Sequence, residues 1–405
     1  MEAVENLGSP SDLFSVARSC LYPNYAQPDV IFDRGQGAQL WDSEGRRYID
    51  FFAGIAVSTL GHAHPRMVQA LADQAARVMH LSNYYFNEPN IRLAERLCQL
   101  SGLDRALFCN SGTEAVEVAL KMARRHFFAQ GQAERHVVMA FDNSFHGRTM
   151  GSLAVTGQPK YRDGFGPLSG VVHVPFGDLE QAGQLLSEKV AAIIVEPVQG
   201  EGGVVPAPPG FLSGLRALCD QSGALLIADE VQTGVYRTGD FLACQTAGIS
   251  ADIIALAKGL GAGFPIGVAL CKERVAAALP AGSHGSTFGG NPLASTAALT
   301  VLEVMGQPGA LEGMRLCAQR FEAALDKVAA DCPGIAHRRG SGFMQGLVLT
   351  HPERGSQLLV ELRRAGLLAT FAGGTTLRLT PPLLISEAEL EEGMTILSEC
   401  LAGWS

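Results

Sequence analysis

Short apolar runs, each stopped by a charge, punctuate the middle of the chain. Ala224-Leu225-Leu226-Ile227-Ala228 ends on Asp229-Glu230, and Ile253-Ile254-Ala255-Leu256-Ala257 ends on Lys258. Runs of this length that are apolar throughout, with no alternation, predict buried strands of a parallel sheet. Between such runs the spacing turns helical. Residues 66–80 and 90–100 have helical spacing. From Arg105 onward strands and helices alternate. A strand over 106–109 precedes a helix over 114–130, and strands follow over 136–140 and 171–174. A helix over 179–187 precedes a strand over 191–195, and a helix over 211–221 precedes the run that stops at Asp229. Such alternation predicts an α/β fold, a mainly parallel sheet with helices on its faces.

The two ends of the chain have a different texture. Residues 1–20 are weakly patterned and predict a loose arm, and 22–28 is rich in turn residues. Residues 38–42 and 47–51 flank Ser43-Glu44-Gly45, which predicts a β-hairpin. After Pro292 the pattern becomes α+β: helices over 293–305 and 311–330, an extended piece over 343–349, a helix over 357–365, extended pieces over 367–370 and 376–379, and a helix over 387–401. The expectation is a large domain over 61–292, with 1–60 and 293–405 together forming a smaller one.

Bulk composition narrows the function. At 405 residues, 47% hydrophobic and 18% charged, the chain can bury a large core. A net charge of -9, with no basic run, argues against a nucleic-acid binder. Nine cysteines, an odd number without a Cys-x-x-Cys pair, suggest reduced thiols in a cytoplasmic enzyme. The acidic start Met1-Glu2-Ala3-Val4-Glu5 is not a signal peptide, and no apolar run has the length of a membrane span. His62 and His64 are spaced to share a face on a strand, as metal ligands would. No third ligand stands nearby and Pro65 starts a helix, so a structural loop without metal is expected.

The chemistry-bearing residues lie at segment ends. In open α/β sheets, ligands sit beyond the carboxyl ends of the strands. Asp229 and Lys258 would then face one crevice. Such a pair suits pyridoxal phosphate, whose aldehyde condenses with the amine and whose ring nitrogen the carboxylate keeps protonated. The plainer reading is two strand ends whose charges reach solvent. Asn110-Ser111-Gly112-Thr113-Glu114, at a strand-to-helix junction, is either an anion site on free helix N–H groups or a capping box between Ser111 and Glu114. The glycines at 200–203 and 259–263 do not fit a dinucleotide fingerprint, because Phe264-Pro265 falls where a helix should begin. Arg148, beside Phe145, and Arg378, between two leucines, are carboxylate-binding candidates. The alternatives are a surface ion pair for Arg148 and the outward face of an edge strand for Arg378.

Taken in order, Gly61-His62-Ala63-His64-Pro65, Asn110-Ser111-Gly112-Thr113-Glu114, Ser144-Phe145-His146-Gly147-Arg148, Glu196-Pro197-Val198-Gln199-Gly200-Glu201-Gly202-Gly203, Asp229-Glu230-Val231-Gln232-Thr233-Gly234, Ala257-Lys258-Gly259 and Ser286-Thr287-Phe288-Gly289-Gly290-Asn291-Pro292 resemble the class III pyridoxal-phosphate aminotransferases. The resemblance runs from about Tyr25 to the C-terminal helix. It implies fold type I and a homodimer with shared active sites. Lys258 would hold the cofactor covalently and move the proton, and Asp229 would bind the ring nitrogen. Gln232 would lie near the phenolic oxygen, and Val231 and Phe145 would sandwich the ring, with Glu230 in the same cofactor-binding set. Ser111, Gly112 and Thr113 would hold the phosphate, joined by Thr287 from the neighbouring subunit. Arg148 and Ser286 would bind the far end of an acylated diamine such as N-acetylornithine. Glu201 would cover Arg378 for that substrate and release it for glutamate or 2-oxoglutarate. Succinylornithine, succinyl-diaminopimelate, ornithine and 4-aminobutyrate are alternative amine donors. Val116 and Tyr236 depart from the family, which commonly has Asn and Gly there.

Overall fold

The computed structural model describes residues 10–25 and 29–404. The apolar runs of the middle of the chain assemble a seven-stranded sheet. Its spatial order is Arg105–Cys109, Gly267–Cys271, Ile253–Leu256, Leu225–Asp229, Val190–Val195, Val137–Phe141, Val171–Val174. The last five strands are mutually parallel, and Gly267–Cys271 runs antiparallel to both its neighbours. Sequence reading names every strand but that one.

Both faces of this sheet are covered, which is why its strands are apolar without alternation. Leu225 and Ile227 pack with Ala115, Val118 and Ala119 of the helix Gly112–Ala129. Leu226 and Ala228 belong to the opposite layer, with Leu215 and Cys219 of the helix Phe211–Ser222. Asp252 pins the inlet edge. It is fully buried and accepts from the Leu226 N–H at 2.9 Å, Arg216 at 2.8 Å and Arg274 at 2.6 Å. Burial alone would raise its pKa, but these partners hold it at about 2.

The two chain ends meet in one four-stranded sheet, and a second is built from the C-terminal part alone. The expected hairpin is present as Gln39–Asp42 paired antiparallel with Arg47–Asp50. Phe32–Gln36 joins one side, and Leu367–Leu368 from the far end of the chain pairs parallel on the other. The second sheet has the order Ile335–Ser341, Met344–Leu349, Thr376–Leu379, Thr370–Ala372. Its polar first strand, Ile-Ala-His-Arg-Arg-Gly-Ser, gives no apolar signal and escapes sequence reading. Thr376–Leu379 is internal and buried throughout, so Arg378 does not sit on an outward edge.

One expectation changes. Residues 10–20 are not a loose arm: Pro10–Cys20 is a helix whose Phe14 and Ala17, one turn apart, line a groove with Val30 and Ile31. Residues 1–9 and 26–28 lie outside the described residues. The helix Pro292–Met305 packs on the helices Pro65–Ala75 and Glu88–Ser101. Among the described residues no helix is long and apolar enough to cross a membrane. His62 Nε2 lies 2.7 Å from Asp50 Oδ2, and among the described residues no group of three potential metal ligands forms.

Candidate active site

The register of two parallel strands creates the site. Asp229 pairs with Ala255, so Asp229 and Lys258 emerge at the same edge of the sheet, on neighbouring strands. A cavity of about 400 Å³ opens there, lined by both residues.

Asp229 has each oxygen fixed. Oδ1 accepts the Val231 N–H at 3.0 Å, and Oδ2 accepts from His146 Nδ1 at 2.7 Å. His146 is enclosed on all sides. Burial disfavours its charged form, but the hydrogen bond and the charge of Asp229 outweigh burial, and its pKa is raised. Its Nε2 has no partner among the described residues. Glu196, also at the cavity, accepts N–H groups from Phe145 at 3.0 Å and Gly200 at 3.3 Å. Burial pushes its pKa up to about 7; His146 pulls it down and Asp229 pushes it further up.

Lys258 begins a short 3-10 turn with φ at 44°, a left-handed conformation that costs an L-residue about 1–2 kcal/mol. The turn is held by Thr59, whose hydroxyl donates to the Gly259 carbonyl at 3.0 Å. Lys258 is half-buried and lines the cavity. Burial lowers its pKa to about 8; Glu201 opposes this, Arg378 adds to it, and Asp229 and Glu196 oppose it. Its ammonium is thus unusually easy to deprotonate, which a nucleophilic amine requires.

Of the capping box at 110–114 only the Ser111 half forms. Ser111 Oγ accepts the Glu114 N–H at 3.3 Å, but the Glu114 carboxylate reaches back to the Asn110 N–H and Nδ2, not to Ser111. Gly112 and Thr113 line the cavity in the first helical turn, where backbone donors lack intrahelical acceptors. A Cβ at Gly112 would lie 2.7 Å from Val231 Cγ1, so the close approach of these two walls requires glycine. Gly147, with φ at 134°, lets the Arg148 loop reach Thr113 Oγ1, which accepts the Arg148 N–H at 3.2 Å.

The two candidate arginines are arranged differently. Arg148 is exposed and lines the cavity. Its guanidinium lies 4.0 Å from the Tyr161 ring centroid and 5.5 Å from that of Phe145, and it forms no ion pair among the described residues. Arg378 is 2% exposed. Its Nη1 donates to Glu201 Oε1 at 2.5 Å and to Gln232 Oε1 at 3.2 Å, and its Nε donates to Thr370 Oγ1 at 3.2 Å. Gln232 is itself a cavity residue, so the Arg378–Glu201 pair stands directly behind that wall.

Five predicted residues do not line the cavity: Glu201 and Arg378 stand behind its Gln232 wall, and Glu230, Ser286 and Thr287 are not gathered in. Glu230 is a correction. Its carboxylate points away from the cavity, accepting from Thr233 Oγ1 and from the N–H groups of Ala243 and Cys244. Successive residues at a strand end face opposite ways, so Asp229 and Glu230 cannot both face the site. Ser286 accepts the Gly289 N–H at 3.0 Å and lies 3.4 Å from Asn110 Nδ2, while Thr287 is exposed; neither lines the cavity of one chain. Conversely, His146 and Glu196 lie within the resembling motifs, and the sequence alone assigns them no role. Their only signal is a polar residue between a strand end and a glycine.

The donor set fits pyridoxal phosphate. A fixed carboxylate for a ring nitrogen, an easily deprotonated amine for an aldehyde and helix-start N–H groups for a phosphate share one cavity. Such a site belongs to an enzyme that exchanges amino groups through a carbonyl cofactor. The chain belongs to the class III aminotransferase family, whose description, Aminotransferase class-III, matches residues 21–401. It is 44% identical over 385 residues to an acetylornithine aminotransferase of Pseudomonas putida, covering 94% of this chain and 95% of the relative. It is 46% identical over 387 residues to a succinylornithine transaminase of Yersinia pseudotuberculosis, covering 93% and 94%. Among solved structures it is similar to an ornithine aminotransferase from Toxoplasma gondii, with TM-score 0.93, 32% identity and coverage of 98% and 96%. That ornithine aminotransferase carries pyridoxal phosphate at partial occupancy in its active site.

Proposed function

We infer that the protein is a pyridoxal-phosphate-dependent aminotransferase that moves the terminal amino group of N2-acetyl-L-ornithine to 2-oxoglutarate. The products are N-acetyl-L-glutamate 5-semialdehyde and L-glutamate, as a step of arginine biosynthesis. The observation that carries this reading is the Arg378–Glu201 pair behind a cavity that also holds Arg148. One enzyme must admit two unlike partners, a terminal amine on a methylene stem and an α-amine beside a carboxylate. A buried guanidinium left uncovered would penalise the apolar stem. Covered by Glu201 it is neutralised; with Glu201 swung aside it offers a carboxylate fork.

Bound pyridoxal phosphate supplies the aldehyde that accepts the amino group and a ring that withdraws electrons. The chain's residues do the rest. Lys258 holds the cofactor and carries the proton at Nζ. Asp229, oriented by His146 and the Val231 N–H, keeps a proton on the ring nitrogen. Ser111, Gly112 and Thr113 take the phosphate. Phe145, Val231 and Gln232, which line the same cavity, would hold the ring. Arg148 and Ser286 bind the acylated end. Ser286 and Thr287 lie outside the cavity of one chain, which supports a homodimer in which Thr287 of a second copy completes the phosphate site. Free cysteines, all nine of them, support a cytoplasmic setting.

The succinylornithine relative favours a second reading in which the acyl group is succinyl. Succinyl exceeds acetyl by one methylene and a carboxylate, a group that an arginine fork such as Arg148 binds. Half-reactions with acetylornithine, succinylornithine, ornithine and glutamate, each read by the absorbance change of the bound cofactor, test the assignment. Acetylornithine and glutamate should both convert. Faster conversion of unacylated ornithine would overturn it.

A further inference from the structure

Arg237 does not line the cavity, yet it is fully buried, 2% exposed, and among the largest enclosed side chains. It lies on the turn that follows Gln232. Its Nη1 donates to the carbonyl of Phe343 at 3.1 Å and to that of Pro381 at 2.5 Å. The Phe343 N–H returns a bond to the Arg237 carbonyl at 2.9 Å. These two carbonyls flank one antiparallel pair. Phe343 immediately precedes the strand Met344–Leu349, and Pro381 lies just past the strand Thr376–Leu379. In that pair Gly346 stands opposite Arg378, and Gln345 opposite Leu379. One guanidinium therefore spans the two strand ends that deliver Arg378 to the cavity wall.

Stability alone does not explain the choice of arginine. Its acceptors among the described residues are the Phe343 and Pro381 carbonyls, neither of them a carboxylate, and its Nη2 has no partner there. Asp50, the charge that acts on it, commits its oxygens to the N–H groups of Phe52 and Ala53 and to His62. Burial pulls the Arg237 pKa down to about 9. An apolar residue of similar volume would avoid that desolvation, but it could not tie both carbonyls to the Gln232 turn.

We propose that Arg237 is a positioning residue for the carboxylate-binding guanidinium. By holding the Phe343 and Pro381 carbonyls it fixes where the strand Thr376–Leu379 places Arg378 against Gln232 and Glu201, and so sets the affinity for glutamate and 2-oxoglutarate. This rests on the reading of Arg378 given under Proposed function. Substrates that bind with Glu201 covering Arg378 are correspondingly less sensitive.

The test compares Arg237→Met and Arg237→Lys holoenzymes in both half-reactions, with glutarate binding followed by calorimetry as a readout independent of turnover. The expected result is a rise in the glutamate KM of about tenfold or more in Arg237→Met, as small misplacements of a binding group produce. Glutarate affinity should fall in parallel, and kcat/KM for the acylated donor should change by less than about threefold. Arg237→Lys, which keeps a donor at that depth, should fall between. Equal loss in both half-reactions, unchanged glutarate binding, or failure of both variants to fold assigns Arg237 to stability alone and overturns the proposal. A wild-type protein that uses neither acylated ornithine nor glutamate would instead remove the functional reading beneath it.

Discussion

Arg378 and Glu201 are 2.5 Å apart but unequally placed, the guanidinium 2% exposed and the carboxylate side chain 21% exposed. Arg378 is held by a second and a third acceptor, Gln232 and Thr370, whereas Glu201 has no other side-chain hydrogen bond among the described residues. If one partner is to move, it is Glu201. Burial tends to raise its pKa, but the Arg378 charge and hydrogen bond more than offset this and hold the carboxyl below its usual range. The pair therefore stays charged through neutral pH and weakens only as pH falls through that depressed value.

Glu201→Ala should separate the two substrates. Losing the charge-assisted bond leaves a buried guanidinium beside the methylene stem, at a cost of about 1.5–3 kcal/mol. The acetylornithine half-reaction should fall about tenfold to a hundredfold in kcat/KM, while the glutamate half-reaction survives. Single-turnover rates for each half-reaction measure the split. An equal fall in both would remove the gate.

If Lys258 takes the cofactor as proposed, its pKa should set the pH of capture. The amine attacks only when neutral, and its pKa is lowered to about 8 against an ordinary value of 10.5. Because the folded-state value is lowered, the reactive form predominates above about pH 8 and declines below it. Capture of pyridoxal phosphate by the apoprotein, followed by absorbance, should rise through a midpoint near 8. A midpoint above 10 would show that burial does not tune this lysine. Replacing Lys258 with alanine should abolish steady-state turnover.

Much of the site is legible in the sequence because its two anchors end apolar runs. A charge that stops an apolar run marks a strand end reaching solvent or a crevice, and the parallel register puts Asp229 and Lys258 at one edge. Direction is less legible: the antiparallel strand Gly267–Cys271 is as apolar as its parallel neighbours, since burial on both faces erases the signature of orientation. Long-range partners are not legible at all. His146 meets Asp229 across 83 residues of sequence, and nothing local to either residue reports it. Glu230 misleads because adjacency in sequence is not adjacency in space: it follows Asp229 but faces the other way. The helix Pro292–Met305 buries most of its residues, Ser295 and Thr300 among them, and such a pattern gives no clue to what it packs on.

Tyr236 is the departure whose cost can be weighed. Where the family commonly has glycine, this tyrosine adopts φ at 67°, the left-handed region that an L-side chain occupies at about 1–2 kcal/mol. Glycine would remove that strain. The ring, however, is 6% exposed and packs edge-on against Phe241 with centroids 5.5 Å apart. Emptying a buried aromatic site costs about 3–5 kcal/mol, so packing outweighs strain. Tyr236→Gly should therefore destabilise the protein by about 2 kcal/mol, measured as a lower urea midpoint with the slope unchanged. A variant as stable as the parent or more so would mean that the glycine conformation governs this turn and that the ring contributes little.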